Sequence, residues 1–173
     1  MKHSIAILLL VLLSGSIAAQ TKKEDAPYKK DPTIPSFNLL LPDSTWFTKD
    51  QIPRTKYDYT VIMYFDPECQ HCQHEAADLS KNMDSLKNAF FVFAAYKGLT
   101  DIKGFASYYG LDKLANVRVG RDPQYFIPSF YRVTRNPFIV VYNRNGLLEK
   151  VYDPEVTNVP EARELIELMY KKN

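Results

Sequence analysis

The chain has 173 residues, of which 46% are hydrophobic, and this suits one globular domain that buries a core without several disulfides or a structural metal. Its formal net charge of +2 is too small to indicate binding to nucleic acid or to an anionic membrane surface. No nucleic-acid partner is therefore expected.

The first 19 residues have the layout of a secretory signal peptide. Lys2 precedes an apolar run over residues 5–13, and the bonds after Ala18 and Ala19 are both candidates for cleavage. The run is shorter than the ~20 apolar residues that cross a bilayer, so cleavage is favoured over an uncleaved membrane anchor. We therefore expect an extracytoplasmic, periplasmic protein.

Residues 20–32 are rich in charged side chains and poor in apolar ones. A segment of this composition cannot bury enough apolar surface to offset the entropy lost on ordering, so it predicts a flexible linker. The folded domain is expected to cover residues 33–173.

Hydrophobic patterning beyond the linker predicts an α/β domain. Residues 37–41 and 45–47 flank a Pro-Asp-Ser turn and predict a β-hairpin. Residues 59–65 form a β-branched and aromatic run typical of a buried strand. An apolar stripe with spacings of four and three then predicts one amphipathic helix, with the members Cys72, Ala76, Leu79, Met83, Leu86 and Phe90.

The next segments predict parallel strands. Residues 90–95 predict a strand, and the helix after it is expected to begin at Thr100 or Asp101 and to end at Gly110. Residues 116–119 predict a further short strand. Strand, helix and strand in this order imply parallel neighbours joined by a crossover.

The C-terminal part predicts a second hairpin and a final helix. Residues 123–129 predict a loop or a helical turn. Residues 138–142 and 147–152 flank an Asn-Gly pair, which accepts the positive φ angles of a tight turn. The final helix, capped at residue 157 or 158, carries an apolar stripe of Ala162, Leu165, Ile166 and Met169.

Cys69 and Cys72 are the only cysteines, and they lie at the predicted junction of strand and helix. A disulfide between them closes such a short loop that it restricts the unfolded chain very little, so it adds little stability. The pair is interpreted as a redox centre. Cys69, where the helix begins, is the expected nucleophile, because free amides and the helix dipole stabilise a thiolate there. Cys72, one turn later, is expected to resolve the mixed disulfide.

Two further side chains adjoin the nucleophile. An imidazolium at His71 would stabilise the Cys69 thiolate and hence the reduced form, whereas an ionised Glu68 would disfavour both. Both residues are therefore expected to tune the redox potential. The alternative for His71 is an exposed polar residue at the start of a helix.

The CxxCxxE pattern over residues 69–75 and Arg135-Asn136-Pro137 before an apolar strand resemble the TlpA and ResA branch of extracytoplasmic thioredoxin-like proteins. The resemblance covers residues 33–173. It implies a thioredoxin-like three-layer α/β fold with a central mixed sheet flanked by helices and an N-terminal β-hairpin extension. That branch commonly has Trp before its first cysteine, where this chain has Glu68.

The resemblance also implies roles for three residues. Glu75 would be a partly buried catalytic acid that relays the Cys72 proton, while an ordinary surface Glu in the first turns of a helix is the alternative. The bond between Asn136 and Pro137 would be cis, so that the Asn136 backbone can bind an extended substrate segment. The alternative is a trans proline that begins an edge strand.

The implied function is that of an exported thiol-disulfide oxidoreductase, expected to act as a reductant. Its partners would be client proteins with cysteines or disulfides and a membrane or soluble thiol-disulfide electron donor. We expect a monomer, with no cofactor and no metal. A disulfide oxidase or isomerase is the alternative that His71 favours.

Two other functions compete with thiol-disulfide exchange. A copper- or zinc-binding chaperone is suggested by the ligand types of Cys69, His71, Cys72 and His74, but the only other histidine lies in the signal segment. A non-catalytic scaffold is also possible in principle, because a fold does not fix a function. The intact CxxC argues against the scaffold.

Overall fold

The computed structural model describes residues 25–171. The predicted signal peptide and residues 20–24 of the predicted linker lie outside the described residues. None of the described helices is long and apolar enough to cross a membrane.

Seven strands form one mixed sheet: β1 (Asn38–Leu40), β2 (Trp46–Thr48), β3 (Tyr59–Tyr64), β4 (Ala89–Ala95), β5 (Val117–Arg121), β6 (Phe138–Asn143) and β7 (Leu148–Tyr152). Their order across the sheet is β2-β1-β5-β4-β3-β6-β7. Strands β3, β4 and β5 are parallel, and β6 runs antiparallel to β3. The central strands are apolar on both faces, as expected of a sheet that is covered on both sides.

Five α-helices accompany the sheet in the described part of the chain: α1 (Pro27–Lys30), α2 (Gln70–Lys81), α3 (Leu99–Tyr108), α4 (Phe126–Tyr131) and α5 (Ala162–Tyr170). Helices α2, α3 and α5 share one core with alternate side chains of β3, such as Val61 and Met63, and Cys72 of α2 is buried in it. Helix α4 and the residues before β1 share the core on the other face, where Ile62 and Ile127 are buried. The predicted three-layer fold is confirmed.

Both predicted hairpins form. The first lies at the sheet edge, where β1 pairs antiparallel with β5 through Leu40 and Arg121, so the N-terminal hairpin extension is confirmed. The second joins β6 to β7 through a turn in which Gly146 has a φ of 76°. Gly146 adopts this left-handed conformation without the steric cost that a side chain would add.

The helix predicted from the stripe between Cys72 and Phe90 is shorter than expected. It ends at Lys81, where the backbone amide of Asn82 is shared between the carbonyls of Asp78 and Leu79 at 3.2 Å from each. The side-chain amide of Asn82 also donates to the Asp78 carbonyl at 2.9 Å and to the Asp78 carboxylate at 3.0 Å. The chain continues as a 3₁₀ turn, Met83–Leu86, and then enters β4. The later members of the stripe are buried too, but Met83 and Leu86 lie in the 3₁₀ turn and Phe90 lies in β4.

Two other predicted boundaries differ from the structure, while the loop or helical turn predicted for residues 123–129 corresponds to a loop and the first turn of α4. Helix α3 begins at Leu99 with Gly98 as its N-cap, one residue before Thr100. Helix α5 has Glu161 at its N-cap position, and not residue 157 or 158.

The described part of the predicted linker packs against the domain. Ala26 is buried, and the ring of Tyr28 in α1 lies 5.6 Å from the ring of Tyr131, between centroids. The amide of Leu148 donates to the carbonyl of Pro32 at 2.8 Å. Contacts of the folded domain thus begin before residue 33, because two side chains in a charged segment find apolar partners.

Candidate active site

The two cysteines lie where β3 gives way to α2. Cys69 is the N-cap of α2, with its amide donating to the carbonyl of Asp66 at 3.1 Å and its carbonyl accepting from the amide of Gln73 at 3.0 Å. Its side chain is partly exposed, whereas Cys72 is completely buried one turn later. A protein partner can therefore reach only the sulfur of Cys69.

Burial also separates the two thiols chemically. It raises the pKa of the Cys72 thiol well above its usual value, and a hydrogen bond with the backbone of Asp66 opposes that rise only in part. Cys72 therefore keeps its proton at neutral pH. Both cysteines are free thiols in the structure.

The segment before β6 contacts Cys69. The bond between Asn136 and Pro137 is cis, which confirms the expected geometry. The thiol of Cys69 donates to the carbonyl oxygen of Asn136 at a sulfur-to-oxygen distance of 3.8 Å. Residues 67 positions apart in the sequence are thus brought together at the candidate site.

Glu75 lies one turn beyond Cys72 on the buried side of α2. Only 2% of its surface is exposed, which excludes the alternative of an ordinary surface residue. Its Oε1 atom has no hydrogen-bond partner among the described residues. Burial, reinforced by the carboxylates of Asp78, Glu164 and Glu161, raises the pKa of Glu75 to about 8. Such a carboxyl group is mostly protonated at pH 7 and can still release its proton near neutrality.

Glu68 is exposed but does not carry its charge alone. Its Oε2 atom lies 2.6 Å from the ammonium of Lys97, which is also 3.4 Å from the carboxylate of Asp66. The hydrogen bond with Glu68, supported by Asp66, raises the pKa of Lys97 above its usual value. The negative charge predicted beside Cys69 is therefore partly offset by a cation that the sequence analysis did not identify.

The two histidines of the motif are exposed on the first turns of α2. Within residues 25–171, no three side chains of the His, Cys, Asp or Glu types are grouped so that they could hold a metal ion. Cys69, His71, Cys72 and His74 are therefore not gathered into one ligand set, which argues against the chaperone alternative.

Solved structures resemble this one over most of the chain. A secreted disulfide oxidoreductase of Mycobacterium tuberculosis, homologous to E. coli DsbE, has a TM-score of 0.64 and 20% identity and covers 79% of this chain and 96% of its own. M. tuberculosis DsbF has a TM-score of 0.63 and 18% identity, and the match covers 82% of this chain and 100% of DsbF. A peroxiredoxin-like protein of Aquifex aeolicus has a TM-score of 0.62 and 16% identity, and the match covers 80% of this chain and 84% of the other.

The protein has a thioredoxin-like fold. No protein-family model and no curated protein matches the sequence, so this conclusion rests on the three-dimensional comparison. At these identities the likeness establishes the fold, while the chemistry has to be argued from the site itself.

The thioredoxin-like fold explains why Lys97 reaches the site. Strands β3 and β4 are parallel neighbours, so the residues that follow them emerge at the same edge of the sheet. Glu68 follows β3 and Lys97 follows β4. The signal available in the sequence was a lysine directly after a buried strand, which becomes informative only when the strand order is known.

A groove of about 410 Å³ opens beside Glu68, between the start of α2 and α3. Its lining includes Gln73, whose side-chain amide donates to the carbonyl of Pro67 at 2.8 Å. The largest exposed side chain along it is that of Tyr108, at 83% exposure. An open groove therefore lies directly beside the residue that precedes Cys69.

Proposed function

We propose that this protein is an exported thiol-disulfide oxidoreductase that reduces disulfides in client proteins through Cys69 and Cys72. The observation that supports this best is the difference in exposure between the cysteines, since Cys69 is accessible at a helix start and Cys72 is buried. The signal layout of residues 1–19 supports export. One of the similar structures is that of a secreted disulfide oxidoreductase.

In the first half of the proposed reaction, the Cys69 thiolate attacks one sulfur of a client disulfide. A bond forms between Cys69 and that sulfur, and the other client sulfur leaves as a thiolate. Cys72 then loses its proton and attacks the Cys69 sulfur, so that the second client sulfur leaves as a thiolate. The client gains two electrons, and the protein is left with a disulfide between Cys69 and Cys72.

In the second half, a dithiol electron donor restores the two thiols by the same exchange. Cys72 leaves as a thiolate when the internal disulfide opens, and the protonated carboxyl of Glu75 can supply its proton. In the forward direction, the ionised form of Glu75 accepts the proton of Cys72. A group with a pKa of about 8 is suited to both transfers near neutral pH.

Asn136 would hold the client during these steps. Its backbone already lies at the Cys69 sulfur, with the carbonyl accepting from the thiol. An extended client segment placed against residues 136–137 would form backbone hydrogen bonds of the kind made when a strand is added to a sheet edge.

Trapping of mixed disulfides tests the proposed division of labour. Cys72→Ser should accumulate disulfides with client proteins through Cys69, because no second thiol can release them. Cys69→Ser should trap few or none, since Cys72 is buried. Trapped species are counted on non-reducing gels, and equal trapping by the two variants would remove the assignment. If the wild type forms no internal disulfide under mild oxidation, the oxidoreductase function itself is wrong.

The disulfide oxidase or isomerase remains a second candidate, because His71 is exposed on the turn that carries Cys69. The reduction potential distinguishes the two, since reductants such as thioredoxin lie near about −270 mV and the oxidant DsbA near about −120 mV. If an imidazolium at His71 stabilises the reduced form, His71→Ala should shift the potential to more negative values by about 30 mV for each tenfold change in the equilibrium constant. His74→Ala, the control one turn away, should change it much less. An equal potential in wild type and His71→Ala identifies His71 as a solvated residue.

A further inference from the structure

We propose that Lys97 is a positioning residue of the redox centre, which holds Asp66 and Glu68 in place and offsets their charge beside the Cys69 thiolate. The inference rests on the proposed function, because it concerns the same pair of cysteines. It assigns to Lys97 an effect on the nucleophile that is exerted through its neighbours.

The contacts of Asp66 show how Lys97 reaches the nucleophile's backbone. The Oδ1 atom of Asp66 accepts from the amide of Glu68 at 2.9 Å, and its backbone carbonyl accepts from the amide of Cys69 at 3.1 Å. The Oδ2 atom of the same carboxylate faces the Lys97 ammonium at 3.4 Å. Lys97 therefore holds the residue around which the turn into α2 is built.

Lys97 also offsets negative charge near Cys69. Asp66 and Glu68 both precede Cys69 within three positions, and each would repel a thiolate. The Lys97 ammonium lies within salt-bridge distance of both carboxylates. Its side chain is only 32% exposed, compared with 82% for Glu68, so the cation is held against the protein.

The sign of the effect follows from these positions. Without the Lys97 charge, two carboxylates act on Cys69 uncompensated, and the thiolate of the reduced protein is disfavoured. The neutral disulfide of the oxidised protein responds much less. Removal of Lys97 should therefore favour the disulfide, which makes the reduced protein a stronger reductant but a slower nucleophile.

The test variant is Lys97→Gln. The matched control is Lys103→Gln, because it also removes one positive charge but from an exposed position on α3. Two quantities are measured at low salt: the equilibrium between the protein disulfide and glutathione, and the alkylation rate of Cys69 in a Cys72→Ser background. We expect Lys97→Gln to shift the equilibrium toward the disulfide by about fivefold at alkaline pH, where the reduced protein carries the thiolate. At acidic pH, where the thiolate is the minor form, we expect it to slow alkylation by a similar factor. Lys103→Gln should stay within about twofold of wild type, since screening weakens distant exposed charges.

Two further variants separate charge from structure. Lys97→Arg keeps the cation and should restore most of both quantities. The double variant Glu68→Gln with Lys97→Gln removes one of the uncompensated carboxylates and should lie closer to wild type than Lys97→Gln alone.

The inference is overturned if Lys97→Gln and Lys103→Gln behave alike, or if the double variant does not recover part of the shift. A wild type that forms no disulfide between Cys69 and Cys72 would instead contradict the proposed function.

Discussion

At the residue scale, the turn of α2 that begins at Cys72 carries two protonated groups in one apolar environment. Cys72 and Glu75 are three positions apart, so they share the buried side of the helix. Removal from water disfavours the charged form of each group, and the pKa of each is raised. With both groups protonated, this turn places no charge in the core.

The cost of burying Glu75 predicts a pH dependence of stability. In the unfolded chain the carboxyl ionises around its usual pKa of 4.5, whereas in the folded chain it ionises around 8. Between these values the folded state binds more protons, so the unfolding free energy of the reduced protein falls as the pH rises. From pH 5 to pH 8 this group alone should lower it by up to about 3 kcal/mol.

Glu75→Gln isolates that contribution. Denaturant unfolding at several values between pH 5 and pH 8 should give a flatter profile for Glu75→Gln than for wild type, because the amide does not ionise. Glu155→Gln, the same substitution at an exposed position, should leave the wild-type profile unchanged. Parallel profiles for wild type and Glu75→Gln would show that Glu75 is ionised in the folded protein throughout this range.

Single residues differ in how far the sequence could predict them. The positions of Cys69, Cys72 and Glu75 at and along one helix were predictable, because helical spacing is a local property. The burial of Glu75 was less predictable, since its position at the margin of the apolar stripe fitted a surface residue equally. Lys97 was not predictable, because its partners belong to a different strand and loop.

At the element scale, local patterns predicted which segments are helices and strands better than they predicted where these end. The apolar stripe from Cys72 to Phe90 reports burial correctly, but it continues across a helix, a 3₁₀ turn and a strand. At the end of α2, both the backbone amide and the side-chain amide of Asn82 donate to the carbonyl of Asp78. An apolar pattern contains no record of such polar contacts.

The start of α5 could not be predicted from local sequence either. The Oδ2 atom of Asp78, on α2, accepts from the amide of Ala162 at 2.7 Å, so a carboxylate from another helix satisfies an amide at this terminus. The sequence predicted that residue 157 or 158 would cap this helix, whereas the capping hydrogen bond comes from Asp78 on another helix. The same contact fixes α5 beside α2, where Glu161 and Glu164 act on Glu75.

At the scale of the whole molecule, the order of the strands is the property that the sequence patterns could not supply. The β1–β2 hairpin joins the sheet at β5 through the single pair of Leu40 and Arg121. Gly120 permits this approach, because a Cβ atom there would lie 3.1 Å from the side chains of Leu39 and Leu41. The resemblance to thioredoxin-like proteins supplied the hairpin extension, and the structure supplies the reason why it fits.

The N-terminal segment is joined to the domain through a row of tyrosines. The ring of Tyr28 in α1 packs against Tyr131 in α4, and the hydroxyl group of Tyr131 is hydrogen-bonded to that of Tyr142 in β6. Tyr131 and Tyr142 are buried, so this row connects α1 to the centre of the sheet through α4. The predicted linker therefore contributes the Tyr28 side chain to the core on the α4 face of the sheet.

The last prediction concerns the contribution of that side chain to stability. Tyr28→Ala should lower the unfolding free energy by about 1–2 kcal/mol, because it removes a half-buried ring and an aromatic pair. Lys29→Ala is the matched control, since Lys29 is exposed on the same turn and pairs with exposed Asp25, so its loss should cost less than about 0.5 kcal/mol. Denaturant unfolding of the reduced proteins measures both. Equal midpoints for Tyr28→Ala and wild type would mean that the packing of the Tyr28 ring against Tyr131 adds nothing to stability.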